Sequence, residues 1–272
     1  MIIYGRNPVR EALRGRRTGS VKELWATPGA AREPWLSGLH ARRASAEEIE
    51  RRCGSAAHQG VCARAGAYPY ASAGELLSLP EPLLVALDQV QDPQNLGSIC
   101  RTAECTGVAG VVICERRAAE VSPSVCKASA GAVEHLRVAR VRNMADFLAD
   151  ARRAGCWCYG ASAPPTSSLG PGSDGAGAQR PSAQSSGSHA RSPERARRGP
   201  ERAPVAYDAP DYRGTGVVLV LGSEGGGLRP RVAHACDELI ALPLLGRIAS
   251  LGVSAAAAAV LYEILQSRGA NP

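Results

Sequence analysis

Three short blocks of the sequence combine chemically useful side chains with residues that shape loops. They are Asp92-Pro93-Gln94-Asn95-Leu96-Gly97 with Arg101 one turn on, Gly222-Ser223-Glu224-Gly225-Gly226-Gly227, and Leu242-Pro243-Leu244 running to Ser250-Leu251-Gly252-Val253-Ser254. Each block follows an apolar run and opens a helical pattern. Because open α/β sheets bind ligands at the carboxyl ends of their strands, the three loops predict one composite pocket and an enzyme.

The glycine-rich block at residues 222–227 is poorly suited to phosphate. Glu224 would repel a phosphate, and the block has neither the Gly-x-Gly-x-x-Gly spacing of dinucleotide sites nor the Lys-Ser/Thr ending of a P-loop. Its glycines would allow the backbone to approach a ligand closely. The block therefore favours a ligand with a positive centre and no phosphate, although an ordinary strand-to-helix turn is the plainer alternative.

The other two blocks each allow a structural and a chemical interpretation. Asn95 could cap the helix that is predicted to begin at Leu96, or it could be a site residue. Arg101 and Glu104 lie three positions apart on that helix, so they could form an exposed ion pair or share a site. Near Ser250, the free N–H groups of a helix start could hold a polar ligand.

Hydrophobic periodicity predicts a small α/β domain in residues 1–76. We expect a helix over residues 5–15 with Asn7 as its N-cap and Pro8 at its first position, a strand over Val21–Thr27, and a helix over Ser45–Cys53 that opens with a capping box. A short alternating segment after His58-Gln59-Gly60-Val61 and a closing segment at residues 74–79 complete this unit.

Residues 80–272 alternate strands and helices, which predicts a mostly parallel sheet. The expected strands are 83–87, 110–114, 136–141, 156–161, 217–221 and 239–242, and the expected helices are 96–105, 123–130, 144–154, 228–235 and 254–266. A segment at about 164–204 is rich in Ser, Pro, Gly, Ala and Arg, and it is predicted to be a disordered insertion. Small side chains at Ala255–Ala259 predict either tight internal packing or a dimer face.

Charge and cysteine usage narrow the class of protein. The net charge is +7, and residues 1–76 hold 12 basic against 7 acidic residues, whereas residues 77–160 hold 9 of each. A basic front segment beside a neutral pocket domain favours a nucleic-acid partner.

Nine cysteines without a Cys-x-x-Cys pair predict free core thiols and no metal site. With no long apolar run and no secretory signal, we expect a cytoplasmic protein that does not engage a membrane.

In order and spacing, the three blocks resemble the SpoU/TrmH-type RNA ribose 2'-O-methyltransferases of the SPOUT class. The resemblance covers about residues 83–266 apart from the insertion, through Asp-Pro-x-Asn-x-Gly-x-x-x-Arg-x-Ala-Glu, Gly-Ser-Glu-Gly-x-Gly-Leu, and Leu-Pro followed by Ser-Leu-x-Val-Ser. The front segment, with Tyr4-Gly5-Arg6-Asn7-Pro8-Val9 and His58-Gln59-Gly60-Val61, is similar to the L30e-like substrate-binding domain of the branch that methylates guanosine in large-subunit rRNA.

This resemblance implies an α/β fold in which an L30e-like domain, residues 1–76, precedes a methyltransferase domain, residues 80–272, whose parallel sheet is threaded into a trefoil knot. It implies S-adenosylmethionine as cofactor, RNA as substrate, and a homodimer with the site near its interface. Gly222, Leu242 and Leu251 would contact the cofactor, and Asn95, Arg101, Glu224 and Ser250 would form the catalytic group. Arg101 would either remove the 2'-hydroxyl proton or position the target phosphate and hydroxyl.

Two alternatives to an rRNA enzyme stay open. One is a tRNA ribose 2'-O-methyltransferase, and the other is an RNA-binding or ribosome-assembly factor that keeps the fold without the activity. Gly252 favours the second, because the family usually has Asn at this position and its amide is absent here. Leu244 replaces a frequent Met, which is a mild apolar exchange.

Overall fold

Two β-sheets organise the chain. The computed structural model describes residues 1–162, 203–248 and 250–269. In the first sheet, the strands β1 (Ile2–Tyr4), β2 (Val21–Ala26), β3 (Arg42–Arg43) and β4 (Val61–Ala65) lie in the order β1-β4-β2-β3. The predicted insertion at about 164–204 lies almost entirely outside the described residues.

One helix packs on each face of this first sheet. Helix α1 (Arg6–Ala12) buries Val9 against one face, and helix α2 (Ala46–Cys53) buries Ile49 against the other. Successive side chains of a strand point to opposite faces, so each short strand contributes to both layers. The small α/β unit predicted for the front of the chain is therefore present, and α2 begins as expected, with Ser45 Oγ accepting from the Glu48 N–H at 3.2 Å.

The N-cap of helix α1 differs from the predicted one, and the helix is shorter than the predicted span of residues 5–15. Gly5 is its N-cap, with φ of 97°, and Arg6 is its first residue. The prediction of Asn7 as N-cap is therefore wrong, because Asn7 already lies inside the first turn. Pro8 is tolerated there, since the N–H groups of a first turn have no intrahelical acceptor.

Helix α3 (Ala73–Leu77) follows the first unit and packs against the second sheet. A complete capping box fixes its start: Ser72 Oγ accepts from the Glu75 N–H at 3.1 Å, and the Glu75 carboxylate accepts from the Ser72 N–H at 3.2 Å. Leu76 is fully buried among side chains of the larger sheet. The chain thus passes from one unit to the other over a few residues, and the division at residues 76–80 stays a prediction.

The second sheet has seven strands, and every neighbouring pair in it is parallel. The strands are β5 (Leu83–Asp88), β6 (Gly110–Cys114), β7 (Val138–Val141), β8 (Cys156–Ala161), β9 (Val205–Ala206), β10 (Gly216–Gly222) and β11 (Glu238–Ala241), in the order β7-β6-β5-β10-β8-β11-β9. Every residue of β5, β6 and β10 is buried, as expected for strands covered on both faces. The predicted parallel sheet is confirmed, while the trefoil knot stays a prediction.

Five helices, together with α3, cover the two faces of this sheet. They are α4 (Pro93–Cys105), α5 (Pro123–Ala128), α6 (Met144–Arg153), α7 (Pro230–Ala235) and α8 (Val253–Ser267). Helix α4 starts three residues before the predicted position, because Asp92 is its N-cap and its carboxylate accepts from the Gln94 N–H at 2.9 Å. The interpretation of Asn95 as the cap is wrong, and this leaves its amide available for other contacts.

A buried ion pair joins the two units. Arg17 Nε donates to Glu134 Oε2 at 2.8 Å, and a second guanidinium nitrogen bonds to Glu134 Oε1. Both side chains are almost fully buried, at 1% and 0% exposure. The Tyr68 hydroxyl, over whose ring the Arg17 guanidinium lies, donates to the Leu136 carbonyl at 2.7 Å. The first unit is therefore docked by a specific polar contact as well as by apolar packing.

The cysteines are free, but one of them is not a core residue. All nine are unpaired, and six are buried: Cys62, Cys100, Cys114, Cys126, Cys156 and Cys158. Cys105 is exposed, which contradicts the core prediction because it lies on the solvent side of α4. Among the described residues no group of His, Cys, Asp or Glu could hold a metal ion, and none of the helices there is long and apolar enough to cross a membrane.

Candidate active site

The three sequence blocks lie at the same edge of the seven-stranded sheet. They follow Asp88 at the end of β5, Gly222 at the end of β10, and Ala241 at the end of β11. In a parallel sheet, these carboxyl ends share one edge. The order of the strands therefore brings together loops that are up to about 150 residues apart in the sequence, as the motif positions predicted.

The glycine block folds back on itself after β10. Ser223 and Gly227 exchange backbone hydrogen bonds of 3.1 and 2.9 Å, which close the loop at its base. A Cβ on Gly222 would collide with the backbone of Gly227, and Gly225 and Gly227 have φ values of 74° and 61°. Glycine is required here by close backbone approach and left-handed conformation, for reasons that do not involve phosphate.

A buried carboxylate anchors the far end of this loop. Asp88 Oδ1 accepts from Arg229 Nε at 2.8 Å, and Asp88 Oδ2 accepts from the Arg229 backbone N–H at 3.0 Å. The hydrogen bond to Asp88 raises the pKa of Arg229. The sequence motifs did not predict this pair, although an Asp directly after an apolar strand was a possible signal. The pair fixes the exit of the loop relative to β5.

Asn95 and Glu224 connect the first two blocks. Asn95 Nδ2 donates to Glu224 Oε1 at 2.6 Å and to Asp92 Oδ2 at 3.3 Å. The two carboxylates therefore share one amide donor, and 129 residues separate Asn95 from Glu224 in the sequence. This contact holds the Glu224 carboxylate in a defined position at the rim of the loop.

A cavity of about 530 Å³ opens beside this contact. Its lining comes from the second and third blocks, with additions from β8, β11 and α8: Ala161, Ser162, Tyr207, Leu221, Gly222, Ser223, Glu224, Gly225, Gly227, Ile240, Leu242, Leu244, Ser250, Leu251, Gly252, Val253, Ala256 and Val260. Within this described lining, Glu224 is the one charged side chain, and most of the rest is apolar. The volume suits a small organic ligand, and the charge favours one with a positive centre.

Five of the seven predicted site residues line this cavity. They are Gly222, Glu224, Leu242, Ser250 and Leu251, and Asn95 joins them through its bond to Glu224. Arg101 is not part of the lining. It lies on α4, about 9 Å along the helix axis from Asn95, and its side chain is exposed. The structure thus places the predicted cofactor contacts together and leaves Arg101 outside, facing solvent.

Gly252 is the N-cap of α8. It makes no side-chain capping bond, and a Cβ there would meet open space. The Asn that usually occupies this position in the resembling family would therefore be placed to cap α8 beside the cavity. Its replacement by Gly leaves the helix start with fewer acceptors for its free N–H groups.

Comparison with known proteins finds matches to two families. A match to the SpoU rRNA Methylase family covers residues 82–174 and 190–262, and a match to the RNA 2'-O ribose methyltransferase substrate binding family covers residues 2–71. The putative TrmH family tRNA/rRNA methyltransferase YacO of Bacillus subtilis is 37% identical over 220 residues, which are 79% of this chain and 72% of that protein.

A longer relative and a solved structure resemble the chain over nearly its whole length. An uncharacterized tRNA/rRNA methyltransferase of Synechocystis is 31% identical over 98% of this chain, which spans 63% of that protein. The structure of the SpoU methyltransferase AviRb from Streptomyces viridochromogenes, in complex with the cofactor AdoMet, covers 100% of this chain and 91% of that chain, with a TM-score of 0.71 at 21% identity.

Proposed function

This chain belongs to the SpoU rRNA methylase family, and from that premise we propose that it methylates a ribose 2'-hydroxyl of RNA, on a guanosine of large-subunit rRNA. It is an RNA methyltransferase of the SpoU/TrmH type. The observation that carries the proposal is the cavity at the ends of β10 and β11, with the Glu224 carboxylate held at its rim by Asn95.

The cavity fits the cofactor that this family uses, S-adenosylmethionine. When bound, S-adenosylmethionine supplies the methyl group from its sulfonium centre. The apolar lining and the single carboxylate of Glu224 suit a molecule that has a positive centre and no phosphate. We assign cofactor contacts to Gly222, Leu242 and Leu251, largely through their backbone groups, because all three line the cavity.

Catalysis requires the 2'-hydroxyl to be aligned with the methyl group, because this hydroxyl is a weak nucleophile at neutral pH. Arg101 is exposed, and the planar fork of N–H donors on its guanidinium matches the geometry of a phosphate. We therefore assign Arg101 to holding the target phosphate and hydroxyl in place. Asn95 keeps Glu224 oriented toward the positive donor, and Ser250 adds a hydroxyl group to the lining.

The decisive test combines a transfer assay with a cofactor-binding assay. Arg101→Ala should reduce transfer of labelled methyl groups to RNA by at least about 100-fold, because the target is no longer aligned. Calorimetry should show S-adenosylmethionine affinity nearly unchanged in this variant, since Arg101 lies outside the cavity. Arg153→Ala, which removes an exposed arginine on α6, is the matched control and should retain wild-type transfer. Wild-type turnover by Arg101→Ala would refute the assignment.

The choice of RNA is tested in the same assay with separated pools. The basic first unit and its match to a substrate-binding family support RNA recognition there, and rRNA is the proposed target. Label in the rRNA pool, recovered as 2'-O-methylguanosine after digestion, would support the proposal. Label confined to tRNA would favour the tRNA enzyme. RNA binding without label would favour the RNA-binding factor without activity, which the replacement of the family's Asn by Gly252 supports. An rRNA substrate also supports a cytoplasmic location.

We also propose that the enzyme is a homodimer through the face beside the cavity. Three large apolar side chains are exposed in the loop that leads from β11 to α8, Leu245 at 99%, Ile248 at 76% and Leu251 at 48%, and Tyr262 of α8 is exposed at 47%. On α8, Ala257 is buried, whereas Ala255 and Ala259 are exposed on the side of Tyr262 and would let a second backbone approach closely. Light scattering should give the mass of a dimer, and Leu245→Asp should shift it toward the monomer. A monomeric wild-type chain would refute this proposal.

A further inference from the structure

Lys127 lies where the second unit meets the loops of the first. It is in the last turn of α5, and a Cβ placed on Gly5 would lie 2.7 Å from Lys127 Nζ and 3.2 Å from Gln59 Oε1. Gly5 and Gln59 belong to the two N-terminal motifs, which the fold joins through a bond of 3.0 Å from the Gly5 N–H to the Val61 carbonyl. The Lys127 ammonium group therefore lies at the boundary between the two units.

The Lys127 ammonium has no acceptor in the part of the chain that the structure describes. The nearby Gln59 Oε1 accepts from the Arg6 N–H at 3.1 Å, and the Arg6 guanidinium pairs with Glu33 at 2.6 Å. Lys127 is half-buried, and burial lowers its pKa. The ammonium reaches solvent there, and because partial burial weakens its hydration, a fixed external anion would stabilise it.

Lys127 is also fixed relative to the helix that carries Asn95 and Arg101. Gly97 of α4 packs directly on Ala128, so closely that a Cβ on Gly97 would collide with the Ala128 side chain. The backbone at Lys127, which directly precedes Ala128, is therefore fixed relative to α4. Lys127 is therefore placed between the first unit and α4.

We propose that Lys127 donates to a backbone phosphate oxygen of the RNA substrate, where the strand crosses from the first unit to α4. This inference rests on the proposed function. A lysine that binds a phosphate acts as a point charge, so it contributes affinity and register without reading sequence. RNA is favoured as the anion because the first unit has an excess of basic residues and matches a substrate-binding family.

The test measures RNA affinity of the full chain over a range of salt concentrations, with large-subunit rRNA transcript as the probe. Lys127→Gln should bind roughly tenfold more weakly at ~0.1 M salt, and its log–log salt slope should be shallower by about 0.7–0.9. Lys127→Met, which keeps an apolar stem, should behave in the same way, and Lys127→Arg should restore the slope. Arg153→Gln, which removes one positive charge at an exposed site on α6 outside the first unit, is the matched control and should keep the wild-type affinity and slope.

The outcomes separate this inference from the proposed function. If the wild-type chain methylates RNA and Lys127→Gln keeps both its affinity and its salt slope, the phosphate contact is refuted and the proposed function stands. If RNA affinity falls with an unchanged salt slope and Lys127→Arg does not restore the affinity, Lys127 contributes only to packing between the two units. That outcome also refutes the phosphate contact. Absence of RNA binding by the wild-type chain would refute both. S-adenosylmethionine affinity, measured by calorimetry, should be the same in every variant.

Discussion

Removal of Arg17 should destabilise the protein strongly, because it would leave Glu134 buried without its cation. Burial disfavours the charged guanidinium, but the bonds and charge of Glu134 outweigh this, so the pKa of Arg17 is raised. Arg17 is therefore charged in the folded state. Arg17→Met keeps the apolar volume and removes the charge. Breaking a buried pair at one side costs about 3–5 kcal/mol, which corresponds to a fall in Tm of roughly 10 °C for a domain of this size.

Thermal and urea unfolding, followed by circular dichroism, would measure this change. The double variant Arg17→Met/Glu134→Leu should recover most of the loss, because it removes the unpaired carboxylate as well as the pair. Arg42→Met is the control, because Arg42 pairs with Glu23 at an exposed site and should change stability by less than about 1 kcal/mol. A free energy of unfolding for Arg17→Met within about 1 kcal/mol of wild type would refute the reasoning.

Three further outcomes are expected. Gly222→Ala should abolish S-adenosylmethionine binding in calorimetry, because the added Cβ would collide with the loop backbone. Gly74→Ala is the control and should keep binding, because its Cβ would meet open space. Retained binding in Gly222→Ala would contradict the loop geometry. Gly252→Asn should cap α8 and raise the free energy of unfolding, measured in thermal melts, by a few tenths of a kcal/mol. It should also increase methyl transfer. A lower Tm than that of the wild type would count against this prediction. At Glu11, burial raises the pKa, but the hydrogen bond with His135 and the contacts with Arg10 lower it by more, so the net shift is downward. The stabilisation by Glu11 is therefore present above about pH 4.5 and lost as the pH falls. In thermal melts from pH 3 to 6, the Tm of Glu11→Gln should decline less steeply than that of the wild type.

Local patterns in the sequence were sufficient for most of the elements. Periodicity predicted β6 with its observed bounds, and the capping box at Ser45 correctly located the start of α2. Errors occurred where two residues could serve as a cap. Asn7 and Asn95 are good capping residues, but Gly5 and Asp92 are the N-caps. Asp92 caps locally by accepting from the Gln94 N–H, whereas Gly5 is held by a tertiary bond from its N–H to the Val61 carbonyl. Short segments such as β9 have too few residues to give a periodic signal.

The motifs predicted five residues that line the cavity, whereas Arg101, from the same motifs, lies outside it. They placed Gly222, Leu242 and Leu251 as cofactor contacts, an assignment that stays a proposal. The tertiary structure alone decided that Asn95 bonds to Glu224, that Asp88 anchors the glycine loop, and that Arg17 and Glu134 join the two units. These pairs are 117 to 141 residues apart in the sequence. Their contacts depend on strand order and on how the units dock, and a linear pattern of residue types carries no information about either.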